Sequence, residues 1–129
     1  MDYVITYEAD ARVVHAKISG ALDLADMQAT VNAVIACPGA RPHDGILSDH
    51  TQIAAPITPP DLAAFLVFLT LRAEHLQHRR WAIVTRSLAS YGMMRALSVG
   101  AQRIPLDVDV FHTEAEAREW LSGSAATAS

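Results

Sequence analysis

Asp49 and His50 stand side by side in "ILSDHT". A carboxylate beside an imidazole is the simplest acid–base pair a chain can offer. Neighbouring residues of a regular strand point to opposite faces, however, so the two cannot easily act together if this stretch is extended. A second group sits in "TRSLASYGMMRALSVGAQR", where Arg86, Tyr91 and Arg95 surround the start of a helix. Helix N-termini offer free amides to anions, and open parallel sheets bind ligands beyond the carboxyl ends of their strands. Asp49, His50, Arg86, Tyr91 and Arg95 are therefore the candidate set for an anionic or lipid-like small molecule. The plainer reading is an amphipathic helix. Its core stripe would be Met93, Leu97, Gly100, Ala101 and Ile104, with Tyr91, Arg95, Ser98 and Gln102 on the wet side.

Other chemistry is thinner. His75 and His78 lie three apart beside Glu74. Two histidines do not complete a tetrahedral metal site, and no third ligand is evident, so no metal is expected. No phosphate loop, dinucleotide fingerprint or nucleophile elbow occurs, so no cofactor is expected. Cys37 is the only cysteine; it excludes an internal disulfide and fits a reducing compartment. An enzyme built on Asp49, His50 and Tyr91 is the weakest of the functional readings.

The elements that must position these residues follow from periodicity and caps. Residues 3–7 and 12–19 read as a β-hairpin across Ala9-Asp10-Ala11. Asp23 caps a helix with an apolar stripe of Leu24, Met27, Val31, Val34 and Ile35. "ILSDH" (46–50) reads as a short buried strand, and "TQIAAPITPP" as a connection. Thr58 caps a helix running to about residue 77, with Asp61 at the capping-box position. "WAIVTR" (81–86) is a strand, Ser87 caps the helix 88–103, and "LDVDVF" is the last strand. Thr113 and Glu116 cap a final helix that buries Ala117, Trp120 and Leu121. The order β-β-α-β-α-β-α-β-α predicts an α/β domain over residues 1–122, a mainly parallel sheet with an antiparallel hairpin strand. Residues 123–129 are expected to be a flexible tail.

This order resembles the STAS-like fold of the sporulation anti-sigma factor antagonists, the SpoIIAA-like proteins, and small bacterial proteins grouped as STAS- or CRAL-TRIO-like. The stretches that carry the resemblance are "YVITYEADARVVHAKISGALDLADM", "LSDHT", "TPPDL" and "YGMMRAL". It implies a non-enzymatic regulatory or protein-interaction domain. In the antagonists, the strand corresponding to "ILSDH" leads into an Asp-Ser-Ser-Gly segment whose serine is phosphorylated. That segment is missing here, so no such switch is expected, and Thr51 is the nearest phospho-acceptor by position.

The chain has 129 residues, 51% of them hydrophobic, 19% charged, and a net charge of −4. That suits one folded domain and excludes disorder. No basic stripe or membrane-length apolar run occurs, and "MDYVITYEAD" lacks a signal core, so the expectation is a cytoplasmic protein that binds no nucleic acid. The most unusual stretch is "DLAAFLVFLTLRAEHLQ". Leu62, Phe65, Leu66, Leu69, Ala73 and Leu76 make one apolar stripe. Ala64, Val67, Phe68, Leu71 and His75 make a second row on the other side. A helix apolar on both sides needs a cover on both, which predicts a homodimer centred on this helix.

Overall fold

The computed structural model describes residues 1–123; the remaining residues of the expected tail, 124–129, lie outside this range. Five strands form one sheet in sequence order. They are β1 (Asp2–Glu8), β2 (Val13–Ala21), β3 (Gly45–Ala55), β4 (Arg80–Val84) and β5 (Asp107–Phe111). β1 runs antiparallel to β2, and the other neighbours are parallel. The helices are α1 (Leu24–Ile35), α2 (Pro59–Leu71), the single turn α3 (Ala73–Leu76), α4 (Leu88–Gly100) and α5 (Glu114–Leu121).

Four residues start the longer helices as their side chains suggest. Asp23, Thr58, Ser87 and Thr113 each accept from the backbone N–H three residues on. Each cap satisfies a donor that a helix start leaves orphaned.

Strand order decides the layering. Right-handed crossovers between strands added in one direction place every connecting helix on the same face. One core accordingly joins Met27, Val31 and Val34 of α1, Leu62, Phe65 and Leu69 of α2, and Met94 and Leu97 of α4 to Val14, Ile46, Ile83 and Val110 of the sheet. α5 follows the last strand and returns on the opposite face. There Ala117 is buried with Val13, Leu47, Ala82 and Val84. Two helices approach closely at Gly100, where an added Cβ would lie 2.5 Å from Leu66 Cδ1.

Three expectations are corrected. The strand read as 46–50 continues to Ala55, because Ser19, Gly20 and Ala21 of β2 supply partners for Gln52, Ile53 and Ala55. The ten-residue connection shrinks to 56–58, and Asp49 and His50 lie within a strand, not at its end. The helix read as 59–77 breaks at Arg72, whose guanidinium lies over the Phe68 ring and donates to Asn32 Oδ1. His75 and His78 therefore do not share a helix; His78 takes a left-handed backbone (φ 63) and packs edge-on against His43. In α4 the buried residues are Ser90, Met94, Leu97 and Ser98, so Met94, not Met93, is the fully buried methionine and Ser98 leaves the wet side. Ser98 can face inward because its hydroxyl donates to the Arg95 carbonyl at 2.9 Å.

Candidate functional site

Alternation along β3 separates Asp49 from His50. His50 points into the three-helix core and is 2% exposed. Burial favours its neutral form and pushes its pKa down to about 4, while the Asp49 charge opposes this. Its Nε2 lies 3.1 Å from Ser48 Oγ, and Nδ1 has no partner among the described residues. Asp49 faces the α5 side. Burial pushes its carboxyl up, but the hydroxyl and amide of Thr51 more than offset this and hold it below the usual range. Thr51 Oγ1 donates to Asp49 Oδ1 at 2.7 Å, so the nominal phospho-acceptor is engaged beside a negative charge.

The residues around the end of β4 go separate ways. Arg86 is exposed. The Tyr91 ring stacks on His112, with centroids 4.5 Å apart. Arg95 pairs with Asp109 at 3.1 Å across the edge of the sheet. Of the amides at the start of α4, that of Ser90 is taken by the Ser87 cap. The pairing of β3 with β4 ends at Asp49–Val84, and His50 and Thr85 are the residues that follow it. His50 Nδ1, Thr85 Oγ1 and Ser90 Oγ are all buried without partners among the described residues. Such atoms are ordinarily met by ordered water.

A concave polar site lies at the other end of the sheet, before β3 and β4. A cavity of about 190 Å³ is lined by residues that include Arg41, His43, Glu74, His75 and Arg79. Arg79 is 5% exposed; its Nε donates to the Asp44 carbonyl at 2.7 Å, and its Nη2 has no partner among the described residues. Asp44 receives Tyr7 Oη at 2.6 Å, Arg12 Nε at 3.1 Å and the Arg41 amide at 2.9 Å. Burial raises its pKa, but these three hydrogen bonds together leave the carboxyl below its usual range.

A cluster of charged side chains lies on the α5 side. Arg118 holds Glu8 through two bonds of 2.7 and 2.9 Å and Glu114 through a third of 2.7 Å. The fork of hydrogen bonds from Arg118 is the main reason the Glu8 carboxyl sits below its usual range. Glu8 in turn faces His15 Nδ1 at 3.1 Å. His15, Asp49 and Glu114 bring their ligating atoms within 4.8 Å of one another. Sequence reading named Asp49 but missed its neighbours, because only Glu114 and Arg118 share a local spacing, four residues apart on α5, while residues 8, 15 and 49 come from separate strands. The one visible signal was His15 alternating with apolar residues on the polar side of β2.

Comparison with known proteins fits this architecture. Among curated proteins none matches. A crystal structure of an uncharacterised protein of the DUF3478 family from Shewanella loihica PV-4, described as having a SpoIIAA-like fold, superposes with a TM-score of 0.57. The match covers 93% of this chain and 92% of that one at 20% identity, which establishes a shared fold. The SpoIIAA-like family model matches residues 13–122, from the start of β2 to just past α5, and the chain belongs to the SpoIIAA-like family.

Proposed function

We propose that the protein is a non-enzymatic regulatory interaction domain that works as a homodimer joined through the outward side of α2. One observation carries this reading. Val67 is 62% and Leu71 70% exposed, with Ala64 also exposed on the same helix. From Leu62 to Leu71 the helix has no charged residue, and Thr70 is the one exposed polar side chain of that stretch. Phe68 is half-buried against Phe65 and covered by Arg72, which leaves Val67 and Leu71 as the centre of the patch. A second copy suits this surface: an isologous pair sets the patch against itself and needs no complementary charge. Covering each side chain contributes roughly 1–2 kcal/mol, counted twice in the pair. The separation of Asp49 and His50 onto opposite faces supports the non-enzymatic part. The lone Cys37 thiol supports a cytoplasmic setting.

Sedimentation velocity at tens of micromolar tests the reading. The wild type is expected to be a dimer and Val67→Glu/Leu71→Glu a folded monomer. A wild-type monomer, or a dimeric double variant, would overturn it.

A second reading, binding of a small anion, has its own support in the unpartnered Nη2 of Arg79 beside the 190 Å³ cavity. Inorganic phosphate should then raise the melting temperature of the wild type but not of Arg41→Ala/His43→Ala. No rise in the wild type would end this reading.

A further inference from the structure

His15 of β2, Asp49 of β3 and Glu114 at the start of α5 converge from three distant segments. Each arrives with one donor atom already held. His15 Nδ1 faces Glu8 Oε2, and its Nε2 is inaccessible and without a partner among the described residues. Asp49 Oδ1 accepts from both the amide and the hydroxyl of Thr51, at 2.9 and 2.7 Å. Glu114 Oε2 accepts from Arg118 Nε. The atoms left for a shared ligand are Nε2, Oδ2 and Oε1. A carboxylate behind an imidazole, here Glu8, fixes the tautomer whose Nε2 lone pair can bind a metal. Arg118 then holds that carboxylate by two hydrogen bonds.

We propose that His15, Asp49 and Glu114 form a binding site for a divalent first-row transition ion of the Zn²⁺ or Mn²⁺ type. One imidazole and two carboxylates suit these ions better than Ca²⁺ or Mg²⁺, which favour all-oxygen shells. Bonds of about 2.0–2.2 Å place tetrahedral ligands about 3.4 Å apart, so the three side chains draw together slightly on binding. Lys17 and Arg118 are the nearby cations, and the carboxylates of Glu8, Asp49 and Glu114 outnumber them by one, so the cluster offsets half of the ion's charge. Three protein ligands leave a position open for water or for a donor from a partner. The ion ties α5 to β2 and β3, which gives the open side of the sheet a ligand-dependent clamp.

The experiment uses metal-free Cys37→Ser protein without a tag, titrated with ZnCl₂ and with MnCl₂ by calorimetry and followed by melting temperature. One ion per chain is expected, with Zn²⁺ tighter than Mn²⁺ and no competition from Mg²⁺. The melting temperature should rise with ion concentration. Asp49→Asn and Glu114→Gln should abolish binding with unchanged circular dichroism. Glu8→Gln, which removes only the positioning carboxylate, should weaken it about tenfold. His43→Ala/His78→Ala, which removes the other histidine pair, should bind as before. A wild type that takes up no ion overturns the proposal. So does binding that survives Asp49→Asn and Glu114→Gln, or that disappears with His43 and His78.

Discussion

The two faces of the sheet are built from the same strands and live in different solvents. Three helices cover one face and make it dry, with Phe65, Leu69, Met94 and Leu97 at 0–1% exposure. α5 alone covers part of the other, where a small apolar patch around Ala117 gives way to Glu8, His15, Asp49, Glu114 and Arg118. Asp49 and His50, adjacent in the chain, show what this does. The dry side drives the imidazole towards neutrality, and the polar side keeps the carboxylate charged. Sequence adjacency says little about shared chemistry when a sheet stands between two residues.

The sharpest way to break this contrast is to hollow each side in turn. Phe65→Ala should cost about 3–5 kcal/mol, because Phe65 is fully buried between Phe68 and Trp81. Leu121→Ala, at the end of α5 and half-buried against the small apolar patch, should cost about 1–2 kcal/mol in the same urea unfolding experiment. Equal losses would mean that α5 closes its side as tightly as three helices close theirs.

A pH series separates the faces by a different property. The His50 pKa is about 4 in the fold against 6.5 unfolded, so the unfolded chain takes up a proton that the folded one refuses. Stability is fully present above pH 6.5 and falls as pH drops towards 4, by a total of about 3 kcal/mol. Asp49 and Glu8, with lowered pKa values, lose their contribution at lower pH, starting below their ordinary values of 3.8 and 4.5. His50→Asn should flatten the upper window alone. A wild type whose urea midpoint is constant from pH 6.5 to 4 would show that His50 is not held neutral.

Gly100→Ala tests how tightly the dry side is assembled. The new methyl group meets Leu66, and overpacking costs about 1–3 kcal/mol, partly offset by the roughly 1 kcal/mol that alanine gains in a helix. A net loss of about 1 kcal/mol is expected in thermal unfolding; a gain would mean that Leu66 moves aside freely. The smallest effect belongs to the polar side. Arg118→Ala removes partly exposed ion pairs and should cost about 1 kcal/mol or less at low salt, and less again as salt screens the pairs. A loss that does not shrink with salt would show the cluster to be drier than its exposure suggests.

Sequence alone determined the element order, the fold class and the four helix caps. These depend on short-range physics: apolar periodicity, a side-chain oxygen at a helix start, and the handedness of crossovers. It also singled out α2, because a ten-residue run without charge is visible in one dimension. Tertiary structure decided the rest. β3 could be extended to Ala55 only by the partner that β2 provides, and α2 was cut short where Arg72 turns onto Phe68 and Asn32. Ser98 went inside because its hydroxyl bonds locally to the Arg95 carbonyl, and Ser90 is buried at the same face of α4 with its hydroxyl left without a partner among the described residues. The His15–Asp49–Glu114 cluster was set by strand register and by the return of α5 across the sheet. A site assembled from residues so far apart exists only where long-range pairing brings them together, and no spacing along the chain encodes it.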